Sequence, residues 1–220
     1  MVASSLEKAR FNMVQQQIRP WEVVDERVID ILEILPRDAF APEEYKNLAY
    51  TDTEIPIGEG QRMMAPKIEA RLLQALDIQE SDKALEVGTG SGFLTACLAR
   101  LAASVVSLEI YESLLEQARS RLEEQGITNV ELRNSDGLEG SIEGAPFDVI
   151  AVTGSLPQAA VSLKEQLSIG GRMFVVTGDN DPMEANLVTR ISENAWRTEV
   201  LFETELASLV NAPQPEKFTF

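Results

Sequence analysis

The chain has 220 residues and no histidine. That absence excludes a Ser-His-Asp triad, imidazole metal ligands and the usual general base near neutrality. Cysteine is nearly absent too. Cys97 stands alone, which rules out an internal disulfide framework and a cysteine-built metal cluster, so no metal is expected. Its place in a helical pattern marks it as core packing rather than a nucleophile. There is no run of about 18 or more apolar residues, so no segment reads as a transmembrane helix. Glu7, Lys8 and Arg10 interrupt the stretch where a secretory signal would be apolar. The expectation is a cytoplasmic chain with one sizeable domain and an accessory segment.

Positive charge is scarce as well. Lys and Arg number 19 against 36 Asp and Glu, a net charge of −17. A field of that sign repels phosphate backbones and anionic lipids, so neither nucleic acid nor a membrane is an expected partner. For most of the acids the charge reads as solubility.

What is present is a regular alternation. "KALEVG" (83–88), "SVVSLEI" (104–110), "NVELRNS" (129–135), "FDVIAVTG" (147–154) and "GRMFVVTG" (171–178) read as strands. "GFLTACLARLA", "YESLLEQARSRLEEQG" and "LPQAAVSLKEQLSIGG" read as the helices between them. In the second helix Leu114, Leu115, Ala118 and Leu122 share a face, and Gly126 ends it. "ANLVTRISE" and "WRTEVLFETEL" read as a closing antiparallel hairpin. The expectation is an α/β fold with a doubly wound, mostly parallel seven-stranded sheet. Residues 81–220 form this domain. Residues 1–80 form an N-terminal helical segment and a loop packed on it. In that segment Asp25 reads as the N-cap of a helix burying Val28, Ile31, Leu32 and Leu35, and "KIEARLLQALDI" reads as a second amphipathic helix. Trp21 reads as an anchor of the N-terminal arm. Lys67 reads as a solvated lysine, with attraction of an acidic substrate as the alternative.

The strongest chemical signal is "LEVGTGSGFL". A strand ends at Val87, and Gly88, Gly90 and Gly92 follow at every second position before a helix begins. Glycines let the backbone turn tightly and approach a ligand closely. The spacing is not the G-x-G-x-x-G of a dinucleotide site, and Glu86 precedes it. A carboxylate there disfavours a pyrophosphate and suits a cation such as S-adenosylmethionine, which carries a sulfonium and an ammonium. Glu109 ends the second strand about twenty residues on, where an acid can hold both ribose hydroxyls. Asp136 follows the third strand and is placed to accept from an adenine amine.

From about Arg27 to Val210 the chain resembles the protein-L-isoaspartate O-methyltransferase family of class I S-adenosylmethionine-dependent methyltransferases, which have a Rossmann-like fold. The matching stretches are "LPRDAFAPEEY", "IPIGEGQ" with Pro66, "LEVGTGSGFLTA", "NSDG", "APFDVIAVTGSLP" and "LSIGGRM". The resemblance implies that Glu86, Gly88, Thr89, Gly90 and Gly92 cradle the methionine part of the cofactor, with S-adenosylhomocysteine as product. It gives Glu109 to the ribose, Asp136 to the adenine, Gln61 to a loop closing over the methionine moiety, and Thr153 to the substrate side. Met63, Val87, Ile110 and Gly137 complete the candidate cofactor set, and Met64 and Thr153 are the candidate catalytic positions. Two stretches depart from the family. Its Thr-Ile-Ser-Gln-Pro run is here Arg62-Met63-Met64-Ala65-Pro66, so Met64 stands at the serine. Its Phe-Val-Pro-Leu-type stretch is here "ELASLVNAPQP", where Leu209 and Val210 match. Met63 and Met64 read equally as packing.

Methyl transfer from a sulfonium needs in-line placement of a nucleophile and exclusion of water. A carboxylate, with a pKa of about 4, is already ionised at neutral pH. Carboxyl O-methylation therefore needs no general base, and a chain without histidine can perform it. Three readings stay open. The first is transfer to a carboxylate, in an isoaspartyl peptide of a damaged protein or a small acid. The second is transfer to a different small-molecule acceptor, with Asp, Glu or Tyr as base. The third is a cofactor-binding homologue without catalysis that acts through a partner. A homodimer is compatible with all three. The tail "NAPQPEKFTF" reads as disordered, or as docked through Phe218 and Phe220.

Overall fold

In the computed structural model, which describes residues 5–178 and 182–213, the N-terminal segment wraps before it reaches the sheet. Helix α1 (Ser5–Met13) runs on through a π-helical turn (Val14–Ile18) and a 3-10 turn (Arg19–Trp21). Helix α2 (Glu26–Ile34) starts at Asp25, whose extended backbone lets its side chain accept the Arg27 N–H. It buries Val28, Ile29 and Leu32, and Ile31 is only partly covered. Two 3-10 turns follow, Arg37–Phe40 and Glu43–Leu48. The "IPIGEGQ" stretch, expected as a loop, is a hairpin of β1 (Ile55–Gly58) and β2 (Gln61–Met63). Strands this short carry no readable alternation. Gly58, Glu59 and Gly60 all have positive φ, which makes the turn. Helix α3 (Pro66–Leu76) begins with Pro66 in its first turn.

The alternation then builds β3 (Lys83–Val87), α4 (Phe93–Leu101), β4 (Ser104–Glu109), α5 (Glu112–Glu124), β5 (Val130–Asn134), β6 (Phe147–Leu156), α6 (Val161–Glu165) and β7 (Leu167–Thr177). β8 (Met183–Ser192) and β9 (Ala195–Thr204) close the chain as the expected hairpin. The seven strands lie in the order β5-β4-β3-β6-β7-β8-β9; β8 pairs antiparallel with both β7 and β9, and the other pairs are parallel. One helix departs from expectation. "LPQAAVSLKEQLSIGG" is helical only over α6, because β7 already starts at Leu167, which pairs with Phe147 of β6.

Strand alternation divides the core between the two faces. Ala84, Val105, Val149, Ala151, Phe174 and Val176 join α3, α4 and the N-terminal residues Met13, Ile18, Val28 and Leu32 in one buried cluster. Leu85, Val87, Val106, Ile150, Val152, Met173 and Val175 point the other way, against Leu163 of α6, Leu167 and Ile142. Trp21 packs edge-on against Phe202 of β9, ring centroids 6.0 Å apart. Lys67 stays partly exposed, with its Nζ 4.4 Å from the Trp21 ring centroid and 2.7 Å from Asp52. The tail residues Phe218 and Phe220 lie outside the described residues.

β3 is flanked by β4 on one side and β6 on the other, so the chain leaves it in opposite directions. Loops at the carboxyl ends of such strands part and leave a crevice, the usual ligand site of open α/β sheets.

Candidate active site

The crevice is floored by the glycine loop. Gly88, Gly90 and Gly92 have φ of +98°, +52° and +87°. The N–H groups of Gly88 and Thr89 both donate to the Leu108 carbonyl, at 2.8 and 3.1 Å. Thr153 Oγ1 braces the loop from the neighbouring strand, lying 2.9 Å from the Val87 carbonyl oxygen and 2.8 Å from that of Gly88. A Cβ on Gly88 would fall on that hydroxyl. Thr153 thus lines the pocket while its hydroxyl points at the loop. Gly92 lies behind the pocket and does not line it. A Cβ there would sit 3.1 Å from the Ala118 Cβ, so this glycine lets α4 approach α5.

Three acids stand at three neighbouring strand ends, as the spacing indicated. Glu86 is paired in register with Ser107 of β4, on the sheet face covered by α4. Its Oε2 accepts from the Ser107 and Thr95 hydroxyls, and its Oε1 is buried without a partner. Burial pushes this carboxyl up to about 8, the two hydroxyls oppose the shift, and the charges of Glu109 and Glu69 add to it. Without a ligand, Glu86 is therefore mostly protonated at neutral pH, rather than the standing charge its sequence position implied.

Glu109 is held by two backbone donors: Gly90 N–H to Oε2 at 2.8 Å and Tyr111 N–H to Oε1 at 3.1 Å. Each oxygen keeps a lone pair for a further donor. Asp136 accepts from Leu138 N–H and from the Asn211 amide, both at 2.8 Å. The Asn211 bond ties the C-terminal segment to this end of the crevice.

One pocket gathers Glu86, Val87, Gly88, Thr89, Gly90, Glu109, Ile110, Asp136, Gly137 and Thr153 with Gln61, Met63 and Met64 of the β1–β2 region. Of the candidate positions only Gly92 is left out. Met63 and Met64 are both buried. The far wall is a strap, Leu206 to Val210, held across β6 by Leu209 N–H to the Ser155 carbonyl and Ser155 N–H to the Ala207 carbonyl.

Sequence reasoning missed Glu54, Arg62, Glu69, Tyr111 and most of the strap among the lining residues. It also missed Arg37, a fully buried guanidinium that donates to Glu69, to the Ala49 carbonyl and to the Met64 carbonyl. Glu69 was detectable, because an acid three, four and seven residues before Leu72, Leu73 and Leu76 lies inside the apolar stripe of α3. Arg37 lies in a short 3-10 turn without periodicity and gave no signal.

The family model for protein-L-isoaspartate (D-aspartate) O-methyltransferase matches residues 8–212. The protein-L-isoaspartate O-methyltransferase of Syntrophus aciditrophicus is 41% identical over 188 residues, 86% of each chain. Protein-L-isoaspartate O-methyltransferase 1 of Rhodopseudomonas palustris is 37% identical, covering 97% of this chain and 90% of its own. Among solved structures, a Plasmodium falciparum chain described as a protein-L-isoaspartate O-methyltransferase, in complex with S-adenosyl-L-homocysteine, superposes with a TM-score of 0.78 at 20% identity. That superposition covers 94% of this chain and 99% of the other, and it carries the fold. With nearly the whole length matched by the family and its glycine loop and strand-end acids assembled in one crevice, the chain belongs to the protein-L-isoaspartate O-methyltransferase family.

Proposed function

We propose that this protein is an S-adenosylmethionine-dependent methyltransferase whose acceptor is a carboxylate, with the isoaspartyl side chain of a damaged protein as the leading candidate. The observation that carries the reading is the convergence of Glu86, Glu109, Asp136 and the Gly88–Gly90 backbone on one crevice at the switch point of the sheet. The residues fit the cofactor. Glu86 Oε1 is an orphaned buried acceptor beside backbone without a Cβ, which suits the cationic methionine end. Glu109 is pre-oriented by two N–H donors and takes the ribose hydroxyls. Asp136, next to Gly137, takes the adenine amine. Thr89, Val87 and Ile110 line the intervening surface, and Gln61 and Met63 cover it from the hairpin.

When bound, S-adenosylmethionine supplies a methyl group on a positively charged sulfur. The protein's part is placement and exclusion of water. The hairpin, with Met63 and Met64 buried, closes one side, and the Leu206–Val210 strap closes the other. Met64 and Thr153 stand at the acceptor end. The acceptor carboxylate arrives ionised, so no residue has to remove a proton.

A second reading has its own observation. Met64 stands where the family carries serine, and Ile57, Leu206, Leu209 and Val210 line the same pocket. An acceptor with an apolar body fits that wall better than a peptide backbone does. Competition assays separate the two. An isoaspartyl peptide and a panel of apolar carboxylic acids are offered together, and the methylated product is identified by mass spectrometry. Methylation of the peptide supports the first reading, and methylation of the apolar acids alone supports the second.

A further inference from the structure

Glu69 is a carboxylate inside the apolar stripe of α3, and it is only 2% exposed. Arg37 Nε donates to its Oε2 at 3.0 Å. The rest of that guanidinium is committed elsewhere: Nη1 donates to the Ala49 carbonyl at 2.8 Å, Nη2 donates to the Met64 carbonyl, and the plane lies over the Phe93 ring. Glu69 Oε1 carries no hydrogen bond among the described residues. The residue lines the same pocket as Glu86, whose Oε1 is buried and equally without a partner. Acid oxygens without partners on one enclosed wall are costly unless a donor or a cation meets them. Among the described lining residues the one cation is Arg62, and the Arg37 guanidinium behind Glu69 is held in place by its backbone partners.

We propose that Glu69 is a specificity-determining residue. One oxygen is held by Arg37, and the residue lines the pocket together with Met64, so the site favours the sulfonium form of the cofactor over the neutral thioether product. The inference rests on the pocket being the S-adenosylmethionine site. S-adenosylmethionine and S-adenosylhomocysteine carry the same ammonium and carboxylate and differ in the sulfonium methyl. A residue that meets only the ammonium treats them alike. A buried carboxylate near the sulfur separates them, because a unit charge a few ångströms away in a shielded pocket is worth on the order of tenfold or more in affinity. Burial raises the proton affinity of Glu69, and the Arg37 guanidinium opposes that shift by its charge and its hydrogen bond.

The test is calorimetric titration of both ligands into the full chain, without any turnover. For Glu69→Gln the ratio of S-adenosylmethionine to S-adenosylhomocysteine affinity falls about tenfold, with S-adenosylhomocysteine affinity changed by less than about twofold. The double variant Arg37→Gln, Glu69→Gln removes both charges and leaves no unmatched buried cation. Its ratio falls too, and it serves as the measurement if the single variant does not fold. An unchanged ratio in a folded variant, or equal loss of both ligands, overturns the proposal and leaves the cofactor reading standing. Failure of the unaltered protein to bind either ligand overturns both.

Discussion

Glu86 and Ser107 face each other across adjacent parallel strands, and the Ser107 hydroxyl donates to one carboxyl oxygen of Glu86 while the other has no partner. The acid is held up to about 8 by burial. A bound cation favours its ionised form, so cofactor binding expels a proton. Besides the Ser107 and Thr95 hydroxyls, the groups acting on it are Glu109 and Glu69. S-adenosylmethionine affinity should therefore rise as pH goes from about 6 to about 8 and level off above. Calorimetry in buffers of different ionisation enthalpy should register the proton. Glu86→Gln should abolish the slope, and a flat profile for the unaltered protein would contradict the assignment.

The same acid sets a stability trend without ligand. Its folded value lies above the ordinary 4.5, so the folded chain holds more protons than the unfolded chain between about 4.5 and about 8. Stability should fall as pH rises through that window. Glu69, also raised by burial, acts in the same direction. Urea melts across the window should show a shallower decline for Glu86→Gln than for the unaltered protein.

Two glycines of one motif should behave differently. At Gly88 a Cβ meets the Thr153 hydroxyl that braces the loop, so Gly88→Ala should weaken cofactor binding at least about tenfold. At Gly92 a Cβ meets Ala118 of α5, away from the pocket. Gly92→Ala should instead lower stability by about 1–3 kcal/mol, with affinity nearly kept in the folded fraction. Thermal melts and titrations of both variants check this, and equal loss of affinity in the two would refute it.

Trp21 ties the N-terminal segment to β9 through Phe202 and supports Lys67. Trp21→Ala should cost about 2–4 kcal/mol in chemical denaturation. Because Trp21 lines no part of the pocket, affinity for S-adenosylmethionine should stay within about twofold.

Met64→Ser restores a hydroxyl at the acceptor end. A hydrogen bond to a charged acceptor is worth about 1.5–3 kcal/mol, so kcat/KM on an isoaspartyl peptide should rise about tenfold. Loss of a buried methionine should lower stability by about 2 kcal/mol. An unchanged rate in a folded variant would mean that Met64 is packing only.

The fold was legible wherever a pattern was long enough to repeat. β3 to β7, α3, α5 and the closing hairpin all carry alternation or helical spacing over several residues. The β1–β2 hairpin was not legible, since four and three residues hold no period. α6 was overestimated because the chain enters β7 early to pair with β6. In the site, Glu86, Glu109 and Asp136 were readable because strand ends converge on one edge. Their environments were not. The protonation of Glu86 comes from its burial in the folded chain, against the opposing hydroxyls of Ser107 and Thr95, and the Arg37–Glu69 pair joins residues 32 apart.

The most direct measurement is methyl ester formation on an isoaspartyl peptide, with the matched aspartyl peptide as control and labelled S-adenosylmethionine as donor. Carboxyl methylation puts label on the isoaspartyl peptide alone, as a base-labile ester that releases methanol. Tight cofactor binding with no ester on the isoaspartyl peptide would contradict the central claim.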